Sequence, residues 1–157
     1  MKRIIAFALS LVCILGLASC GSKEENDPVQ LYAPSLLEDM GKAGAFSEEL
    51  EGLDADTAFA LYRLADAGLT PEDMTDCAVL RSSGATCEEA AVLVLADSEK
   101  AQLVKSALEG YIQQQIDSNK DYRPNEIPKL EEALVDSVEN TVLLVVANDM
   151  DAAKSAL

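Results

Sequence analysis

Two hydrophobic periods alternate along the chain, and each predicts its own kind of element. Ala58, Phe59, Leu61, Tyr62 and Ala65 recur at three- and four-residue intervals, the spacing of one helix face, which predicts a helix over about 54–67. Asp54 stands where a carboxylate accepts from the free amides of a first turn, and Gly68 where a helix ends in positive φ. Thr70-Pro71-Glu72-Asp73 is a second start signal, with a cap, a proline at the first helical position and an acid three residues on. Leu31 to Lys42 is also helix-like, interrupted by Pro34 and Gly41.

The period then shortens. Cys77-Ala78-Val79-Leu80 runs into the turn cluster Arg81-Ser82-Ser83-Gly84-Ala85-Thr86, and Glu89 to Ala96 is almost wholly apolar. That pattern predicts a hairpin whose second strand is buried on both faces. Asp97 caps the longest predicted helix, about 98–118, with Ala101, Val104, Leu108, Tyr111, Ile112 and Gln115 as its inner stripe. Residues 117–128 form a polar, Pro-bearing connection. Leu134, Val135 and Val138 mark a third strand, Glu139-Asn140 a turn, and Val142 to Ala147 a fourth strand. Asp149 opens a terminal helix to Leu157.

These periods predict an α+β fold with a four-stranded antiparallel sheet of order 1-2-4-3. Strands two and four are apolar on both faces and suit the centre, while one and three are more polar and suit the edges. The long helix covers one face, shorter helices flank it at the N- and C-terminal ends, and the 54–67 helix or a partner subunit is expected on the other face.

The N-terminus carries an address. Met1-Lys2-Arg3 is positive, Ile4 to Gly16 has no charge, and Leu17-Ala18-Ser19-Cys20 follows. The apolar stretch is short for a ~30 Å hydrocarbon core and suits a signal peptide. The tetrad Leu17, Ala18, Ser19, Cys20 matches a bacterial lipobox. By that resemblance cleavage falls between Ser19 and Cys20, and Cys20 becomes a diacylglycerol-bearing N-terminus. Two or more fatty-acyl chains, palmitate among them, hold a protein at a membrane where one gives marginal binding. The expected organisation is a signal peptide over 1–19, a lipidated Cys20 and flexible tether over 20–30, and one globular domain over 31–157.

Composition sharpens this picture. The full chain has 28 acids and 12 bases, a net charge of −16, and no histidine. Residues 1–19 hold two of those bases and no acid, so the remainder carries 28 acids against 10 bases, a net −18. Nucleic acid is thereby excluded as a partner, since phosphate contacts need Lys and Arg. Without imidazole there is no Ser-His or Cys-His dyad. Cys77 and Cys87 could form an extracytoplasmic disulfide, but a turn near 83–86 sets Cys77 opposite about residue 92, far from Cys87.

Several carboxylate sets have functional spacing. Asp117-x-Asn119-x-Asp121 opens like a calcium loop, yet Tyr122 and Pro128 stand where that loop needs Gly and Glu. Asp149-Met150-Asp151 after an apolar strand has the spacing of paired phosphotransferase aspartates, and Asp54-Ala55-Asp56 repeats it; helix-start carboxylates account for both. Glu48-Glu49, Glu88-Glu89 and Glu131-Glu132 are expected on a solvated acidic surface. No catalytic residue, cofactor or metal-ligand set is assigned.

The chain resembles a family of small uncharacterised lipoproteins from anaerobic Gram-positive bacteria, filed as a domain of unknown function. The resemblance rests on Gly68-Leu69-Thr70-Pro71-Glu72-Asp73, Glu88-Glu89-Ala90-Ala91-Val92, Tyr122-Arg123-Pro124 and Val142-Leu143-Leu144-Val145-Val146 with Asp149 after it. It implies a shared fold and location and supplies no catalytic residues. The expectation is a lipid-anchored, non-catalytic binding or interaction domain on the extracytoplasmic face of the cell membrane. Its partners are the membrane, through the N-terminal lipid, and an envelope protein. A small-ligand or cation-binding lipoprotein and a carboxylate-dependent envelope hydrolase are the alternatives.

Overall fold

The computed structural model describes residues 31–157. Leu17, Ala18, Ser19, Cys20 and the 20–30 tether lie outside the described residues.

Five strands form one antiparallel sheet in the order β1-β2-β3-β5-β4. They are β1 (Glu51–Leu53), β2 (Met74–Arg81), β3 (Glu89–Leu95), β4 (Leu134–Val138) and β5 (Thr141–Val146). The expected four-stranded sheet of order 1-2-4-3 is therefore corrected in strand number and order. The added strand is Glu51-Gly52-Leu53, three residues with a central glycine, too short to show alternation in sequence. It pairs with β2, so the strand expected at that edge is interior.

Residue parity sorts the core into two layers. Ala91, Leu93, Leu95, Val142, Leu144 and Val146 face one side, where α3 (Ser98–Asn119) lays Ala101, Val104, Leu108, Tyr111 and Ile112 over them. Asp97 caps α3 by accepting from the Lys100 amide at 2.8 Å. The same layer takes in α2 (Ala55–Leu61), capped by Asp54 through the Thr57 amide. The helix expected over 54–67 breaks at Arg63, which adopts φ 53, and a 3-10 turn follows over Leu64–Ala67. That break lets neighbours Tyr62 and Leu64 both be buried.

Ala90, Val92, Leu143 and Val145 face the other way. Their cover is α1 (Leu36–Lys42), through Leu37 and Met40, and α5 (Met150–Lys154), through Met150 and Ala153. The 54–67 segment expected as a candidate for this face packs instead on the α3 side. The Ala45 carbonyl joins the two covering segments by accepting from the Asn148 and Asp149 amides at 3.0 Å each. Tyr32 extends the clamp: its hydroxyl donates to Asp136 at 2.6 Å, and burial together with that carboxylate pushes the phenol up to about 12.

The polar, Pro-bearing connection over 117–128 contains a 3-10 turn at Pro124–Glu126 and runs into α4 (Ile127–Glu131). Leu130 docks in the core, and Arg123 and Lys129 come to lie beside the end of the β2–β3 hairpin.

Candidate functional site

The charged residues converge at one end of the sheet, around the β2–β3 turn. Glu88 and Glu89, expected on a solvated surface, are 0% and 3% exposed. This corrects the reading of that pair: a carboxylate opening a strand buried on both faces is itself carried inside. Neighbouring strand residues point to opposite faces, so each enters a different layer.

Glu89 enters the α3 layer. Its Oε1 accepts from the Tyr62 hydroxyl at 2.5 Å, and its Oε2 accepts from Tyr111 at 2.8 Å and Arg81 Nε at 3.2 Å. The two rings meet edge to face, 5.2 Å between centroids and 84° between planes. Burial pushes the Glu89 carboxyl above its ordinary range, opposed by those three donors. Burial and the Glu89 charge raise both phenols, so Tyr62 and Tyr111 remain donors.

Glu88 is held from elsewhere. The Ser47 amide donates to it at 2.7 Å, the Ser47 hydroxyl donates to its other oxygen, and Lys129 Nζ stands 2.8 Å away. Lys129 also pairs with Glu126, whose carboxylate accepts from the Cys87 amide. Glu48 accepts from Ser82 at 2.6 Å and Thr86 at 2.7 Å, and those bonds hold its carboxyl below the usual range. The Ser82 hydroxyl in turn accepts from the Gly84 and Thr86 amides, which shapes the turn.

Two recesses open beside this network. A cleft of about 350 Å³ runs between the 3-10 turn and α3, with Tyr62, Arg63, Asp66, Gly110 and Tyr111 in its walls. A smaller one, about 250 Å³, lies at the sheet edge between Glu51, Arg81, Ser83 and Arg123. Glu89 anchors both, since its tyrosine partners line the first and its arginine partner the second. Arg123 is fixed by neutral oxygens: Nε donates to Asn119 at 3.0 Å, and Nη1 to the Gly84 and Thr86 carbonyls at 2.9 and 3.3 Å.

The other spaced carboxylates do local work. Asp117 pairs with Lys120, and Asn119 is buried at the end of α3, where its side-chain oxygen accepts from Arg123. Asp149 and Asp54 are helix caps. Glu49, Glu131 and Glu132 are exposed. Cys77 and Cys87 are free thiols. Cys77 faces Leu93, six residues from Cys87 along the strand direction, a span of roughly 20 Å. Among the described residues no group of three or more acidic or thiol side chains gathers as a cation cage.

Sequence reasoning missed Arg81, Arg123 and Lys129. The one available signal was the Glu-Glu pair at the head of an apolar run, which demands cationic or hydroxyl partners once the strand is central.

No curated protein and no solved structure matches the chain. A family model, Domain of unknown function (DUF4358), matches residues 65–147. The matched span runs from the 3-10 turn before β2 to the residue after β5, and takes in Arg81, Glu88, Glu89, Arg123 and Lys129. It covers more than half of the chain, which therefore belongs to the DUF4358 family, a domain of unknown function.

Proposed function

We propose that this chain is a lipid-anchored extracytoplasmic lipoprotein whose domain binds a ligand or partner at the cell envelope without catalysing a reaction. The observation that carries the binding reading is how the hairpin-end carboxylates are engaged. In a chain without histidine, acid–base chemistry would fall to such groups. Glu48, Glu88 and Glu89 instead accept from Ser82 and Thr86, from Ser47 and Lys129, and from Tyr62, Tyr111 and Arg81. Carboxylates held this way stiffen a rim, and the guanidinium groups beside them supply donors for recognition.

The location rests on the Leu17-Ala18-Ser19-Cys20 tetrad and the positive and apolar segments before it. Metabolic labelling with a fatty-acid analogue tests it. The wild-type chain is expected to take label and partition into detergent, and Cys20→Ser to lose both and accumulate uncleaved precursor. A Cys20→Ser chain that is processed and labelled like wild type would overturn the anchor. Turnover of a wall polymer that disappears in Glu88→Gln, with the fold intact, would overturn the non-catalytic reading.

A further inference from the structure

Glu51, Arg81 and Glu89 stand side by side across three strands. Glu51 on β1 is the register partner of Arg81 on β2, and Arg81 is the register partner of Glu89 on β3. Directly opposed residues of antiparallel strands share a face, with β-carbons about 4.5–5.5 Å apart. Arg81 is thus offered two acids. It pairs with Glu89 at 3.2 Å, and among the described residues no ion pair joins it to Glu51. The choice follows from burial: a carboxylate 3% exposed loses far more by going unpaired than one in water. An acid and a base of opposite sign therefore frame an open recess instead of closing it.

Arg123 forms the other charged wall. Of the nine cations among the described residues, only Arg123 and Lys154 make no ion pair with a carboxylate. Lys154 is exposed near the C-terminus. Arg123 is instead held by three neutral oxygens, in a chain with more than twice as many acids as bases.

We propose that this recess binds the zwitterionic head of a small α-amino acid, its carboxylate on Arg81 and Arg123 and its ammonium on Glu51. Arg81 donates to Glu89 through Nε, Nη2 of Arg123 has no protein acceptor among the described residues, and guanidinium forks suit a carboxylate. At about 250 Å³ the recess is smaller than drug-sized sites of roughly 300–1,000 Å³, which fits one residue and not a polymer. Charge selects the class. A bare anion would meet Glu51 at the wall, Glu48 and Glu89 close behind, and a net charge of −16. A zwitterion adds no net charge and brings the cation that Glu51 lacks.

This inference rests on the reading of the domain as a binding module and names its ligand. Calorimetry on the full-length chain in detergent, with glycine and alanine as probes and acetate and methylamine as half-ligands, tests it. The amino acids are expected to saturate with a Kd of about 1 mM or tighter, and each half-ligand to bind at least about tenfold more weakly. Glu51→Gln, at an exposed edge, should weaken glycine about tenfold while acetate binds no more weakly than to wild type, since the carboxylate that repels it is gone; Arg123→Gln should weaken both. Absence of amino-acid binding, acetate binding as well as glycine, or indifference to Glu51→Gln would each overturn the proposal. Fatty-acid labelling of Cys20 reads the location independently, so failure of the ligand and failure of the anchor are distinguishable.

Discussion

Glu89 lends itself to a paired substitution, because two replacements of similar size should behave differently. Its oxygens accept from Tyr62, Tyr111 and Arg81. Glu89→Leu removes the acceptor for all three donors, two of them on tyrosines that are 2% and 7% exposed. A buried donor left unpaired costs about 1–3 kcal/mol. Arg81, whose side chain is 38% exposed, can turn to water, so the two phenols dominate and the loss should be about 2–6 kcal/mol. Glu89→Gln keeps the shape: its carbonyl can serve Tyr111 and Arg81 while the Tyr62 hydroxyl rotates to accept from the amide. Its loss should be about 1 kcal/mol or less.

The pH dependence separates them further. Burial raises the Glu89 carboxyl against the pull of its donors. A carboxyl raised in the folded state contributes stability that is fully present below its unfolded value, and loses it as pH rises through the folded value. The advantage of wild type over Glu89→Gln should therefore be greatest in acid and shrink toward neutrality. Urea unfolding of the three chains between about pH 4 and pH 8 reads both effects. Equal losses for Leu and Gln, or an advantage that grows with pH, would refute the reasoning.

Three further outcomes follow from the same contacts. Lys129→Met leaves the fully buried Glu88 carboxylate with Ser47 alone and should cost about 3–5 kcal/mol, with part recovered by adding Glu88→Gln in a double-mutant cycle. Asp97→Ala should lower the melting temperature at neutral pH: the Lys100 amide holds the Asp97 carboxyl below its usual range, so its stabilisation is present above that range and fades as pH falls through the folded value. Alkylation of the unfolded chain without reductant, followed by peptide mass spectrometry, should label Cys77 and Cys87 separately; a linked pair of peptides would contradict the sheet register.

The elements legible in sequence are those whose cause is local. Asp54 and Asp97 cap helices because each accepts from an amide three residues on, a relation any reader of the chain can measure. The apolar runs 90–95 and 142–146 read as central strands because they have no polar face to turn to water. The capping box at Thr70 and Asp73 and the positive φ of Gly68 belong to the same class.

What only the tertiary structure decided depends on residues far apart in the chain. Three residues at Glu51 became a strand because the free edge of β2 could take them, and a segment that short carries no period of its own. The second face was closed by α1 and α5, which are seven and five residues long and become helices worth having only when packed together. The site followed the same rule. Glu88 and Glu89 look like surface acids by residue type, and sequence resolves nothing of partners 27 residues upstream at Tyr62 or 41 downstream at Lys129. Their burial is tolerated because the fold brings donors to them, and a carboxylate's environment is a property of the assembled sheet end, not of its neighbours in the chain.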